Sequence, residues 1–226
     1  MKALVLASGG VDSTTCLAMA VKEYGAENVL ALTVLYGQKH KRELESAKKV
    51  CEYYGVRQRE IDLTPLFAGS NCSLLDSSDE EIPLESYADQ LKKTEGKPVS
   101  TYVPFRNGLF LSTAASIALS EDCSLLYYGA HADDAAGSAY PDCSEDFYRA
   151  INTAIYEGSG RQLEVKAPFI RSTKAEVVRK GLELSVPYEL TWSCYLGSER
   201  PCGKCGTCVD RIKAFELNGV KDPLEY

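Results

Sequence analysis

Apolar positions along the chain fall into short unbroken runs, separated by stretches with helical spacing. The first run, residues 3–7 (ALVLA), is apolar at every position, so it reads as a parallel strand buried on both faces. Helical spacing follows over 14–23, and 28–36 is a second buried run. A polar helix is predicted over 42–54 with Gly55 as its C-cap, then a third strand over 59–63. From 64 to 100 the periodicity breaks down into Gly, Ser, Asn, Asp and Pro, with one short helix predicted over 84–93. A segment this long without clear structure is a candidate lid. Regular pattern resumes with an apolar helix over 108–119, a strand over 124–129, a helix over 144–156 and a strand over 163–167. Ser172 and Thr173, with Glu176 following, supply a capped start for a helix ending near 184, and 210–217 reads as the last helix. Strands alternating with helices predict an α/β fold, an open parallel sheet with right-handed crossovers and helices on both faces.

Composition narrows the picture. A chain of 226 residues, 45% hydrophobic and 25% charged, suits one α/β domain with elaborations. We expect that domain to span 1–186, with 64–100 as its irregular insertion, and a distinct C-terminal segment over 187–226. A net charge of -7 argues against a broad nucleic-acid-binding face. No apolar run approaches the roughly 18 residues of a membrane span, and Met1 and Lys2 lead straight into a strand without a signal peptide. A cytoplasmic location is therefore expected.

Nine cysteines are an odd number, which argues against a fully paired disulfide framework. Cys16, Cys51, Cys72, Cys123 and Cys143 are scattered and read as small apolar side chains. Cys194, Cys202, Cys205 and Cys208 cluster, and in a reducing compartment such a cluster points to metal. Four thiolates fill a closed tetrahedral structural zinc site, with Gly203 and Gly206 expected to give the tight turns. An iron–sulfur cluster also takes four cysteines, and spacing does not separate the two. With every position filled by protein, the expected role is to fasten the C-terminal segment.

At the end of the first strand stands Ser8-Gly9-Gly10-Val11-Asp12-Ser13. Paired glycines let the backbone approach a ligand, and free N–H groups at a helix start face an anion there. No Lys-Ser/Thr pair follows, so this is not a Walker loop, and the third glycine of the dinucleotide fingerprint is missing. The plain alternative is an ordinary strand-to-helix loop of small residues. The stretch resembles the pyrophosphate-binding SGGxDS loop of the N-type ATP pyrophosphatases, which cleave ATP between its α- and β-phosphates.

The resemblance then extends along the chain. The stretch over 8–17, Tyr36-Gly37-Gln38-Lys39-His40, Phe105-Arg106-Asn107, Asp133-Asp134, Tyr140-Pro141-Asp142-Cys143, Ser193-Cys194-Tyr195 and the later cysteines fit one family in order. The chain is similar to the 7-cyano-7-deazaguanine synthase family. Ala139 and Ser144 depart from the Gly and Arg that often flank the family's Tyr-Pro-Asp-Cys element, which leaves the fine shape of the substrate pocket open. The resemblance implies an adenine nucleotide alpha hydrolase-like fold and a homodimer. It implies ATP with Mg2+, one structural Zn2+ per chain on Cys194, Cys202, Cys205 and Cys208, and 7-carboxy-7-deazaguanine and ammonia as substrates.

Residue by residue, the resemblance implies a catalytic set of Asp12, Ser13, Arg106 and Lys174. Nucleotide contacts fall to Ala7, Ser8, Gly9, Gly10, Val11, Asp12, Ser13, Thr14, Gln38 and His40, and substrate contacts to Asp133, Asp134, Tyr140 and Asp142. Bland alternatives stand beside these. Asp133 and Asp134 also suit a solvated turn, Tyr140 suits packing, and Asp142 suits an N-cap of the helix after it. His40 and His131, the only histidines, both follow strand ends. Lys174, in the first turn of a helix, opposes the dipole unless an anion compensates it, which favours a phosphate contact. Two other functions use such a loop. A tRNA thiolation enzyme would carry a basic face and a cysteine pair near the nucleotide, and a nucleotide sensor would bind ATP without turning it over.

Overall fold

In a computed structural model, which describes residues 1–94 and 97–226, five parallel strands form one sheet. They are β1 (Ala3–Leu6), β2 (Val29–Leu35), β3 (Arg57–Asp62), β4 (Leu125–Tyr127) and β5 (Glu164–Lys166), in the spatial order β3-β2-β1-β4-β5. The helices are α1 (Val11–Tyr24), α2 (Arg42–Tyr54), α3 (Tyr87–Thr94), α4 (Arg106–Ser120), α5 (Ala132–Ala135), α6 (Glu145–Gly158), α7 (Lys174–Glu183) and α8 (Gly206–Leu217). Ala3 pairs with Val29 on one side and Leu125 on the other, so β1 is central.

The unbroken apolar runs are explained by two cores. Leu4, Leu30, Leu32 and Val34 face a core covered by α4 and α6. Ala3, Val5, Val29 and Ala31 face the opposite core, built with α1, α2, α7 and α8. Each central strand is thus apolar on both faces, as parallel strands between helix layers must be. β3 lies at the edge, where Arg57 pairs with Glu121 at the C-terminal end of α4.

Winding reverses between β1 and β4, and an open α/β sheet holds its ligands at such a switch point, beyond the strands' carboxyl ends. Several boundaries differ from expectation. α1 begins at Val11, so Asp12 and Ser13 belong to its first turn. α8 begins at Gly206 with Cys205 as its N-cap, so the cysteine cluster reaches into the helix. The 64–100 segment is less irregular than its composition suggests. Gln38 bridges Leu75, and Phe67, Cys72, Leu74 and Leu75 are buried in the α4 core. Residues 95 and 96 of that segment lie outside the described residues.

Candidate active site and metal centre

The turn between β1 and α1 is shaped by contacts that only glycine permits. Gly9 has φ +81°, and a Cβ there would lie 2.4 Å from the Glu43 carbonyl oxygen. Gly129, at the end of β4, would place a Cβ 2.9 Å from the Asp12 carbonyl carbon, so its smallness lets α1 approach the sheet. The Ser8 amide donates to Ser13 Oγ at 3.1 Å, the two hydroxyls lie 3.0 Å apart, and the Trp192 amide donates to the Gly9 carbonyl at 2.9 Å. Gly10 is the N-cap of α1, so the free amides of that helix's first turn open onto the cavity beyond the strand ends.

Asp12 and Lys174 meet in this cavity. Lys174 Nζ donates to Asp12 Oδ2, while Asp12 Oδ1 has no hydrogen-bond partner among the described residues. His131 Nε2 lies 3.8 Å from Asp12 Oδ1 and 3.4 Å from Asp134 Oδ2. Burial alone would push the Asp12 carboxyl up, but the charges of Lys174 and His131 outweigh it and hold the group below the usual carboxylate range. Asp134 and Asp210 carry the opposite balance, and burial pushes both up. The anion that compensates Lys174 is thus a side chain of the protein itself.

α7 earns its place through its N-terminus. Thr173 and Glu176 form a reciprocal capping box, and the Lys174 amide donates to Asp133 Oδ2 at 2.7 Å. Asp133, expected at the substrate, is instead committed to this cap and stands outside the cavity lining. Asp142 behaves alike. It is buried, Oδ2 accepts the Asn107 amide at 2.8 Å in the first turn of α4, and Ser144 caps α6. The carboxylate therefore caps α4, which precedes it, and not the helix that follows it.

Arg106 opens α4 after Phe105, whose φ of +55° turns the chain into the helix. Its guanidinium donates to Tyr36 Oη at 3.4 Å and lies 5.3 Å from that ring's centre. Gln38 lines the cavity and accepts the Tyr36 amide at 2.9 Å. Thr14 is buried behind the loop. His40 packs against Gly197, whose Cβ would fall 2.1 Å from His40 Cβ, so it sits beside the cysteine segment and away from the cavity. Of the expected contacts, Ala7, Ser8, Gly10, Val11, Asp12, Ser13, Gln38, Arg106, Asp134, Tyr140 and Lys174 line one cavity.

Other lining residues escaped the sequence reading. Glu43 sits in the first turn of α2, where burial, opposed by Arg106, pushes its carboxyl up to about 7. An acid in the first turn after a strand end was the available signal. Tyr87, Trp192 and Asp210 come from distant segments and nothing local marked them, whereas Tyr195 stood in the Ser193-Cys194-Tyr195 element without an assigned role. Burial and the nearby Asp134 and Asp142 carboxylates push the Cys143 thiol well up, so this lining cysteine stays a thiol.

The thiol sulfurs of Cys194, Cys202, Cys205 and Cys208 all lie within 4.8 Å of one another. A tetrahedral zinc with Zn–S of about 2.3 Å needs sulfurs about 3.8 Å apart, so the set fits such an ion with small adjustment. Amides of Cys202, Lys204 and Cys205 donate to cluster sulfurs at 3.3, 3.4 and 3.3 Å, an arrangement that offsets thiolate charge. Gly203, at φ +68°, makes the expected turn. Gly206 does not. It is the first residue of α8, and its missing Cβ leaves room for the Tyr87 ring at 3.0 Å.

A family model described as queuosine biosynthesis protein QueC matches residues 2–219. A Caldicellulosiruptor bescii protein named 7-cyano-7-deazaguanine synthase is 45% identical over 226 residues, covering 100% of this chain and 97% of that protein. An Archaeoglobus fulgidus protein of the same name is 44% identical over 99% of this chain and 90% of its own length. Among solved structures, NMN synthetase from Francisella tularensis aligns with a TM-score of 0.53 at 15% identity, over 97% of this chain and 78% of that one. The U34-tRNA thiolase NcsA of Methanococcus maripaludis, solved with its [4Fe-4S] cluster, aligns at 0.51 and 18% identity, over 96% and 66%. Identities this low express a shared fold alone.

Proposed function

Because the chain belongs to the QueC family of queuosine biosynthesis proteins, we propose that it uses ATP and ammonia to convert 7-carboxy-7-deazaguanine into 7-cyano-7-deazaguanine. The observation that carries this reading is the juxtaposition, in one cavity, of the β1-to-α1 turn, the paired Asp12 and Lys174, and Arg106.

A carboxylate is a poor electrophile until it carries a good leaving group. Its oxygen attacks the α-phosphorus of ATP, the bond to the β-phosphate bridge breaks, and pyrophosphate leaves into the 8–13 turn. Ammonia adds to the acyl adenylate and AMP departs, giving the amide and a proton. A second ATP adenylates the amide oxygen, and loss of AMP and a proton leaves the nitrile. The protein's part is to position reactants and neutralise phosphate charge. The α1 amides and Ser13 receive the leaving pyrophosphate, and Lys174 and Arg106 neutralise charge. The unpartnered Asp12 Oδ1 suits Mg2+, which would screen the triphosphate. No protein nucleophile is needed.

With Asp133 and Asp142 occupied as helix caps, the substrate contacts fall to Asp134 for polar groups of the ring and Tyr140 for its face. The four thiolates would hold one Zn2+ per chain in a structural role, fastening 187–226 onto the 1–186 domain. A cytoplasmic homodimer acting on small molecules completes the reading. The test is incubation with ATP, ammonium and 7-carboxy-7-deazaguanine, followed by mass spectrometry. The nitrile should form with AMP and pyrophosphate. ADP and phosphate as the only nucleotide products would overturn the α-phosphate assignment.

A further inference from the structure

The far wall of the cavity is built by tyrosines from three separate segments. Tyr87 is the first residue of α3, Tyr140 follows α5, and Tyr195 stands next to Cys194. Their hydroxyls form a chain: Tyr87 to Tyr195 at 2.6 Å, Tyr195 to Tyr140 at 3.4 Å, and Tyr140 to Thr101 at 2.5 Å. The Tyr87 ring meets the Tyr140 ring edge-on, with centres 5.7 Å apart. On its other side it rests against Gly206, where a Cβ would come within 3.0 Å.

Two of these three grips on Tyr87 belong to residues bonded directly to cysteines of the cluster. Tyr195 follows Cys194 and Gly206 follows Cys205. The position of those backbones is therefore the position of the cluster. α3 is otherwise pinned by Leu91, whose Cδ1 lies 2.8 Å from where a Gly137 Cβ would be, so the helix bridges the cysteine segment and the turn after α5. We propose that Tyr87 is a positioning residue that closes the cavity, and that the metal-holding segment is its latch through Tyr195 and Gly206. The centre then does more than fasten the chain's last segment. By setting Tyr195 and Gly206 it decides whether α3 stays down over the cavity, where the heterocycle's face would lie on the reading given above.

Hydrogen exchange read by mass spectrometry on the full-length, zinc-loaded protein tests this without any substrate. Tyr195→Phe keeps the ring and the cluster but removes the hydroxyl, and Gly206→Ala pushes the Tyr87 ring outward. Each should speed exchange across 84–94 by about tenfold, with zinc content and the protection of β1 and β2 unchanged. Stripping zinc from the wild type with a chelator should do the same or more. Unchanged exchange over 84–94 in both metal-retaining variants overturns the latch, and if stripping unfolds the whole protein, those two variants decide alone. In turnover assays Tyr87→Phe should raise KM for the deazaguanine several-fold and leave KM for ATP as it was. Absence of any turnover with that heterocycle, in a protein whose α3 still responds to Tyr195→Phe, would instead overturn the substrate assignment.

Discussion

Lys174 and Asp12 together show how much one pair can hold. Lys174 is nearly buried, its ammonium spans two elements, and its removal leaves the half-buried Asp12 carboxylate without its cation. Lys174→Ala should cost about 2–3 kcal/mol of unfolding free energy at pH 7, and adding Asp12→Asn should recover about half of it, as denaturant titration will measure. The Asp12 carboxyl sits lower in the fold than in the unfolded chain, so the pair's contribution is full above about pH 4 and fades as pH falls through the folded value. Glu43 behaves oppositely. Its carboxyl is pushed up to about 7, so the neutral acid is favoured in the fold. Its contribution is intact below about pH 4.3 and is lost as pH rises to 7. Glu43→Gln should therefore match the wild type at pH 4 and exceed it by up to about 2 kcal/mol at pH 8, a difference that unfolding curves at the two pH values resolve.

Helix ends decide where the functional side chains stand. α2 ran from Arg42 to Tyr54 as its pattern indicated, because Gly55 in the left-handed region stops it there. The capping box at Thr173 was equally readable, since both partners are three residues apart. The cap of α4 was not, because it comes from Asp142 across the chain. No local rule ties Asp142 to Asn107. The start of α8 was hidden for a different reason, as the clustered cysteines interrupt the apolar spacing that marks a helix. Asp142→Ala should cost about 1–2 kcal/mol and lower turnover by displacing Arg106, while Asp142→Asn, which keeps an acceptor for the Asn107 amide, should stay close to wild type. Thermal melts and steady-state assays on the two variants separate the cap from a direct substrate contact, which would make the Asn variant lose deazaguanine affinity.

At the scale of the molecule, the sheet, its two helix layers and the loop at the β1 end were legible because short-range patterns carry them. The rest of the cavity wall was not, since Tyr87, Trp192 and Asp210 converge only after the chain has folded. Asn218 ties the last segment to α7 by donating to the Ala175 carbonyl at 2.8 Å, and Arg211 braces that segment from within. That buried guanidinium forms a bidentate pair with Asp222 at 2.7 and 3.0 Å and also reaches Thr191 and the Tyr188 carbonyl. Cys205→Ser should reduce bound zinc well below about one per chain and lower the melting temperature by several degrees, as elemental analysis and calorimetry will report. The hydrogen bond from the Trp192 amide to the Gly9 carbonyl carries a further consequence. Lys174 reaches Asp12 across 162 positions and Tyr188 reaches Thr15 across 173. At ribosomal speeds of roughly 5–20 residues per second, the first turn emerges about 10–30 s before the groups that complete it. A nascent chain therefore holds the β1-to-α1 turn without its closing amide or its counter-charge. Ribosome-stalled chains ending at residue 186 should retain no immobilised ATP analogue, whereas released full-length chains should. Translation itself then sets the moment at which this protein can first spend ATP.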